Sequence, residues 1–302
     1  MKLRIFISGL VLGLLFPVYI KSQELEPRSL SNVPVGMNFG VAGYAWTQGN
    51  IFLDPALSIE DLNATVHGIV AAYARSINVF GKSGKIDVVL PFAAGDWSGL
   101  LNQQFEQTAR TGFGDPGIRF SVNLVGAPAL SMEEYKDYRQ KTIVGLNMQV
   151  ILPVGQYFPD RLINLGSNRF TFRPQVGISH RVNQWYFEAY TGLWLFTVNK
   201  EFWNGNELKQ NPLITEKVHI IRSSPKGIWL AVNAGYANGG RAFVNGVERE
   251  SHISTFRLGG TFALPLGLHH TLKLFGFTTF RQDKGSNYEL FSLVYQYRWG
   301  GK

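Results

Sequence analysis

Tyr288-Glu289-Leu290-Phe291-Ser292-Leu293-Val294-Tyr295-Gln296-Tyr297-Arg298-Trp299 reads with a period of two. Glu289, Phe291, Leu293, Tyr295, Tyr297 and Trp299 fall on one face. Leu290, Ser292, Val294, Gln296 and Arg298 fall on the other. That period belongs to a strand whose faces meet different surroundings. The face richer in aromatics closes with Tyr297 and Trp299 near the chain terminus, and the other carries Ser292, Gln296 and Arg298. In a soluble sheet the apolar face meets a core. In a transmembrane barrel it meets lipid between aromatic girdles, and the polar face lines the interior.

Similar segments recur. Twelve stretches read as strands: 36–46, 64–76, 84–92, 115–125, 140–153, 169–181, 185–197, 213–223, 228–237, 252–264, 270–279 and 288–299. Ile118, Phe120, Val122 and Leu124 oppose Arg119, Ser121 and Asn123. Phe170, Phe172, Val176 and Ile178 oppose Thr171, Arg173, Gln175 and Ser179. Many of these reach the 9–11 residues that a tilted membrane strand needs. Short connections (182–184, 224–227, 265–269) alternate with longer ones (47–63, 93–114, 154–168, 198–212, 238–251, 280–287), as periplasmic turns alternate with external loops. The segment 126–139 is a long connection on the short side, and Met132-Glu133-Glu134-Tyr135 within it suits one helical turn. The expected fold is all-β: a single antiparallel up-and-down transmembrane β-barrel of about 12 strands. A secreted β-sandwich would also alternate, but it would not order its loops short and long.

Lys2 and Arg4 followed by the apolar run Ile5 to Val18 read as a secretory signal over residues 1–22. A short N-terminal periplasmic segment (23–35), the barrel (36–299) and a tail (300–302) follow. The sequence holds no cysteine, which excludes disulfides and thiolate metal sites. The formal charge is +8, and no basic run is clustered enough for nucleic acid. The expected location is the bacterial outer membrane, with outer-membrane lipid, the barrel-assembly machinery and a small-molecule solute as partners.

Ordered segments carry a family resemblance. They are Leu25-Glu26-Pro27-Arg28, Pro34-Val35-Gly36 with Asn38-Phe39, Asp54-Pro55 with Ile59-Glu60-Asp61, and Ala72-Tyr73-Ala74-Arg75. Lys85-Ile86-Asp87-Val88-Val89-Leu90-Pro91, Gly114-Asp115-Pro116 with Arg119, and Tyr138-Arg139-Gln140 follow. Pro153-Val154-Gly155-Gln156-Tyr157, Asn164-Leu165-Gly166 with Asn168-Arg169, and Tyr297-Arg298-Trp299 complete the set. Together, over residues 25 to 299, they resemble the bacterial family called "putative meta-pathway of phenol degradation". The resemblance implies an outer-membrane, transporter-like barrel tied to aromatic-compound catabolism. It also implies that Tyr297 and Trp299 form the assembly signal, although barrels of this kind usually end on the aromatic, whereas Gly300-Gly301-Lys302 follow here.

If the apolar face meets lipid, the opposite face offers Arg75, Lys85, Arg119, Arg173, Arg257, Lys273 and Arg298 against Asp87 and Glu188, with Tyr190, Asn147, Gln149, Gln175 and Asn233. Such a lining favours anionic or polar solutes, aromatic carboxylates among them. The alternative is a non-conducting structural barrel filled by ion-paired networks. Asp115-Pro116 reads as a strand opener, with Asp115 in a turn-starting role. His252-Ile253-Ser254 places a His and a Ser two residues apart, as in a membrane lipid hydrolase, on a face read as inward. No HExxH, phosphate loop or GxSxG occurs, and His67, His180, His219, His269 and His270 lack ligand spacing. No enzyme activity, cofactor or metal is therefore expected.

Overall fold

The computed structural model describes residues 26–51, 56, 59–284 and 286–301. The expected signal, 1–22, lies outside them. The strands are β1 (Met37–Asn50), β2 (Glu60–Val79), β3 (Lys82–Leu101), β4 (Gln104–Phe113), β5 (Gly117–Val125), β6 (Thr142–Ile151), β7 (Thr171–Val182) and β8 (Trp185–Phe196). Then come β9 (Asn199–Phe202), β10 (Asn206–Gln210), β11 (Leu213–Ser223), β12 (Trp229–Gly239), β13 (Ala242–Val244), β14 (Val247–Glu248), β15 (Ile253–Leu266), β16 (His270–Lys284) and β17 (Asn287–Gly300). The helix α1 (Met132–Tyr135) lies between β5 and β6. It is the turn expected there, with a capping box between Ser131 and Glu134.

Each wall strand pairs antiparallel with its neighbour, and β17 closes on β1 from Met37↔Gly300 to Asn50↔Asn287. The wall is a closed 12-strand barrel in which β4 and β5 share one position. β5 pairs with the first part of β3 and β4 with the second. Closure leaves no sheet edge, which hydrocarbon demands because it cannot satisfy an open backbone group. The period-2 reading holds around the wall. Ile69, Val88, Leu146, Phe187, Val218 and Val232 stand exposed on the outer face, while their sequence neighbours turn inward.

Two expectations are corrected. The stretch 84–92, read as short, belongs to a 20-residue strand, and 93–114, read as a loop, is the upper part of β3 plus β4 around a turn at Asn102-Gln103. Twenty residues run roughly 65 Å along the strand and, tilted by about 45°, rise about 46 Å against a ~30 Å hydrocarbon core, so the upper parts of β2 and β3, with β4, project past the membrane. β4 (Gln104–Phe113) is exposed along most of its length. With no lipid on one side and no interior on the other, its sequence carries no strong alternation.

At the end of the barrel away from the chain termini, β9, β10, β13 and β14 form a separate four-stranded sheet. Phe202, Leu208, Ala242 and Val244 from it pack with Ala45, Val66, Trp97, Phe277, Tyr288 and Leu290 of the wall and with Ile163 and Leu165 of the loop after β6. At the opposite end the N-terminal segment enters the barrel. Residues 26–35, expected as a periplasmic segment, pack against inward-facing side chains. Leu30 is buried with Ile143, Tyr190 and Ala127. It seats where Gly145 has no side chain, since a Cβ there would lie 2.6 Å from Leu30 Cδ2. Burying one such leucine contributes about 2 kcal/mol.

Candidate functional site

The interior changes character along its axis, and β16 shows why. Its inward positions run Lys273, Phe275, Phe277 from the terminal end upward. Lys273 acts electrostatically on Glu26, whereas Phe275 and Phe277 join the apolar cluster. β17 repeats the order in reverse, with Tyr288 and Leu290 above Ser292. An inner face that looks inconsistent in sequence is thus a cationic lower half below an apolar, aromatic upper half.

In the lower half Arg119 donates from Nε to both carboxylate oxygens of Asp87, at 3.1 and 3.0 Å. Its Nη2 also reaches Glu26 Oε2 at 3.4 Å. Lys85 Nζ donates to the Ser29 carbonyl at 3.2 Å, and Asn123 Nδ2 to the Leu30 carbonyl at 3.1 Å. Glu188 accepts from the Arg28 backbone N–H at 2.7 Å, from Tyr190 Oη at 2.9 Å and from Ser179 Oγ at 2.9 Å. The Arg28 guanidinium lies 4.6 Å from the Tyr186 ring centre and 6.0 Å from that of Trp229. The connection around α1 covers this segment from below: Tyr135 Oη donates to the Asn32 carbonyl, and the Val35 N–H to the Leu130 carbonyl. Burial pushes the Glu26 carboxyl up, but Arg119, Lys273, Lys85 and Lys217 outweigh it and hold the pKa at about 2.

Higher up, cations meet rings. Arg173 lies 4.9 Å from the Trp194 centroid, Arg257 4.6 Å from Tyr288 and 5.5 Å from Phe277, and Arg169 4.7 Å from Phe196. Between the two halves Asn147 and Gln149 on β6 pair with Gln175 and Arg173 of β7, respectively. Asn147, Gln149 and Gln175 each have a buried amide oxygen without a hydrogen-bond partner in the protein. Next to this band, Asp115 fixes the bend between β4 and β5. It accepts from the Gly155 and Ser167 backbone N–H groups at 3.0 and 2.8 Å and from Ser167 Oγ. The expected turn role is thus a junction that pins the loop after β6.

Lys85, Asp87, Arg119, Arg173, Glu188, Tyr190, Arg257 and Lys273 all face inward, as do Asn147, Gln149, Gln175 and Asn233. Arg75 does not. The inward residues of β2 are Leu62, Ala64, Val66 and their even-numbered successors, so Arg75 shares the outer face with Tyr73, and both donate to Asn38 Oδ1. Arg298 sits at the rim, with Nε donating to the Leu268 carbonyl. Tyr297 and Trp299 point outward and stack at 5.5 Å. The face assigned to Ser254 is also corrected. The inward residues of β15 are Thr255 and Arg257, and Ser254 lies on the other side, 3.2 Å from the exposed Tyr236 hydroxyl. Reading sequence alone missed Glu26 and Lys217. Lys217 was legible from Thr215, Lys217, His219 and Ile221 sharing a face, but Glu216 on the outer face masked the pattern. Glu26 gave no signal, because its place beside Arg119 depends on the N-terminal segment turning into the barrel.

Among solved structures, the COG4313 outer membrane channel from Pseudomonas putida F1 matches with a TM-score of 0.77 at 17% identity, over 91% of this chain and 100% of that one. The β domain of the Bordetella autotransporter BrkA matches at 0.51 and 14% identity, over 88% and 100%. These likenesses show the fold. No curated protein matches. A family model matches residues 56–299, most of the wall from β2 to Trp299, and the chain belongs to the family described as "Putative MetA-pathway of phenol degradation".

Proposed function

We propose that this protein is an outer-membrane channel for small amphipathic anions, aromatic carboxylates foremost, working by passive or facilitated passage without chemistry. The observation that carries this reading is the sequence of surfaces along the interior. Arg173 on Trp194 and Arg257 on Tyr288 offer a ring and a charge together, and the cations around Glu26 follow below. Rings select for aromatic bodies and fixed cations for negative charge. The partnerless amide oxygens of Asn147, Gln149 and Gln175 support a wetted passage, since a buried polar group needs a partner from solvent or solute where protein gives none. The phenol-degradation family description and the similarity to an outer membrane channel agree with it. Planar-bilayer recording tests the reading. Wild type is expected to prefer chloride to potassium, and Arg173→Glu with Arg257→Glu to weaken or reverse that preference. An unchanged preference sinks the electrostatic claim.

A second reading is favoured by the seated N-terminal segment and the packed apolar cluster, namely a structural barrel that conducts nothing. A folded sample without conductance steps would establish it.

A further inference from the structure

Glu26 is an unusual residue to find inside a barrel wall. Its carboxylate lies 3.4 Å from Arg119 on β5, Lys85 on β3 reaches the same segment at the Ser29 carbonyl, and Lys273 on β16, Lys85 and Lys217 on β11 act on it electrostatically. Arg119 does not need it for neutralisation, because Asp87 already holds the guanidinium Nε. Nor is Glu26 the segment's sole attachment. Arg28 between Tyr186 and Trp229, Leu30 in its pocket and the bonds to Lys85, Asn123 and Glu188 hold the chain together with it. Aromatic surface borders the same space: Lys217 Nζ lies 5.8 Å from the Tyr190 ring centre, and Tyr190 meets His219 edge to face at 5.6 Å. A carboxylate among cations beside an aromatic wall is the chemistry that would receive an aromatic carboxylate.

We infer that the Arg119–Lys85–Lys217–Lys273 cage is a carboxylate-binding site for the travelling solute, and that the N-terminal segment is its tethered competitor, with Glu26 in the place of the solute's carboxylate. The inference rests on the channel reading above and adds to it a site and a gate. Passage then requires the solute to displace Glu26, so apparent affinity is lowered by the fraction of time the segment is seated. The cations keep the Glu26 carboxyl ionised across the neutral range, as a competitor of an anion must be. Partners on both sides of the exchange are charged, so displacement swaps one carboxylate for another without leaving a buried cation bare.

The test uses the full mature chain in detergent, titrated with benzoate and with benzyl alcohol as its neutral counterpart, and the same samples in planar bilayers. Glu26→Gln removes the charge at constant shape and is expected to bind benzoate about tenfold tighter or more. Benzyl alcohol should bind both proteins alike, and Glu26→Asp should stay near wild type. Equal benzoate affinity in Glu26→Gln and wild type, with anion conductance intact, overturns the competitor and leaves the channel standing. No benzoate binding by either, again with conductance, overturns the site alone. Absence of conductance in every protein overturns the channel reading itself. A measurement on wild type alone covers the case where Glu26→Gln does not fold. Saturating benzoate is expected to speed amide hydrogen exchange in residues 28–32, benzyl alcohol to leave it unchanged, and equal exchange in both refutes the displacement.

Discussion

At the scale of single residues, the interior is organised by pairing. Asp87 and Arg119 are both largely buried, with side-chain exposures of 6% and 12%. Stranding one charge of such a pair costs at most about 3–5 kcal/mol, and Glu26 at 3.4 Å from Arg119 offsets part of that loss when Asp87 is removed. Asp87→Asn is therefore expected to lower the urea midpoint of the folded barrel by less than that stability. Asp87→Asn with Arg119→Gln should lose less than the sum of the single changes, because neither charge is then stranded. Glu26 makes a prediction in pH. Its carboxyl is depressed from 4.5 to about 2 in the seated state. A depressed carboxyl stabilises the state that depresses it at pH values above 4.5, and this contribution is lost as pH falls from there through about 2. Residues 26–35 should thus resist an added protease or exchange slowly at pH 6 and open progressively below pH 4.5. Equal protection at pH 6 and pH 2.5 would show that Arg28 and Leu30, not the carboxylate, hold the segment.

At the scale of elements, the junction between β4 and β5 is tightly packed against the loop after β6. A Cβ on Gly155 would lie 2.6 Å from the Gly114 carbonyl carbon and 2.7 Å from the Asp115 nitrogen, both backbone atoms that cannot swing aside. Gly155→Ala is expected to cost about 1–3 kcal/mol through forced backbone shifts, read as a lower unfolding temperature. Asp115→Asn should cost a similar amount, since a neutral amide accepts less strongly from the Gly155 and Ser167 N–H groups. The end of β17 is built differently. Gly300 and Gly301 adopt φ of +79° and +103°, and the Gly301 N–H donates to the Gly36 carbonyl. The tail thereby folds towards α1 and leaves Tyr297 and Trp299 displayed on the outer face. Trp299→Ala is expected to lower the amount of assembled barrel recovered from the outer membrane while truncation after Trp299 does not.

At the scale of the whole molecule, the closed hydrogen-bonded wall and its exposed apolar band should make the purified protein heat-modifiable. An unboiled sample in detergent is expected to migrate faster on a gel than a boiled one, and a protein soluble without detergent that shows no shift would contradict the lipid-facing assignment. The upper half adds an unusual feature to this wall, an interior that is apolar. Phe202, Leu208 and Val244 from the small sheet meet Trp97, Phe277 and Tyr288 of the wall and form an apolar layer within it. Any solute entering from that side meets rings with Arg169, Arg173 and Arg257 stacked on them before it reaches the cations around Glu26.

The sequence by itself determined the barrel. Alternation in segments such as 118–124 and 288–299 specifies which face each residue takes, because a strand's side-chain period is two and a slip of one residue would turn every lipid-facing side chain inward. Loop order set the topology, and with it the inward placement of Arg119, Arg173, Arg257 and Lys273 followed from parity. Arg75 shows the limit of that reasoning. Near a strand end the outer face reaches the polar headgroup level, where an arginine is as welcome outside as inside. The tertiary structure alone decided what fills the interior. Glu26, Arg28 and Leu30 belong to a segment with no period of its own, and they rest against side chains of β3, β5, β8, β11, β12 and β16 that only the closed wall brings together. Contacts between residues this far apart in sequence leave no local pattern, because it is the closed wall that brings the partners together.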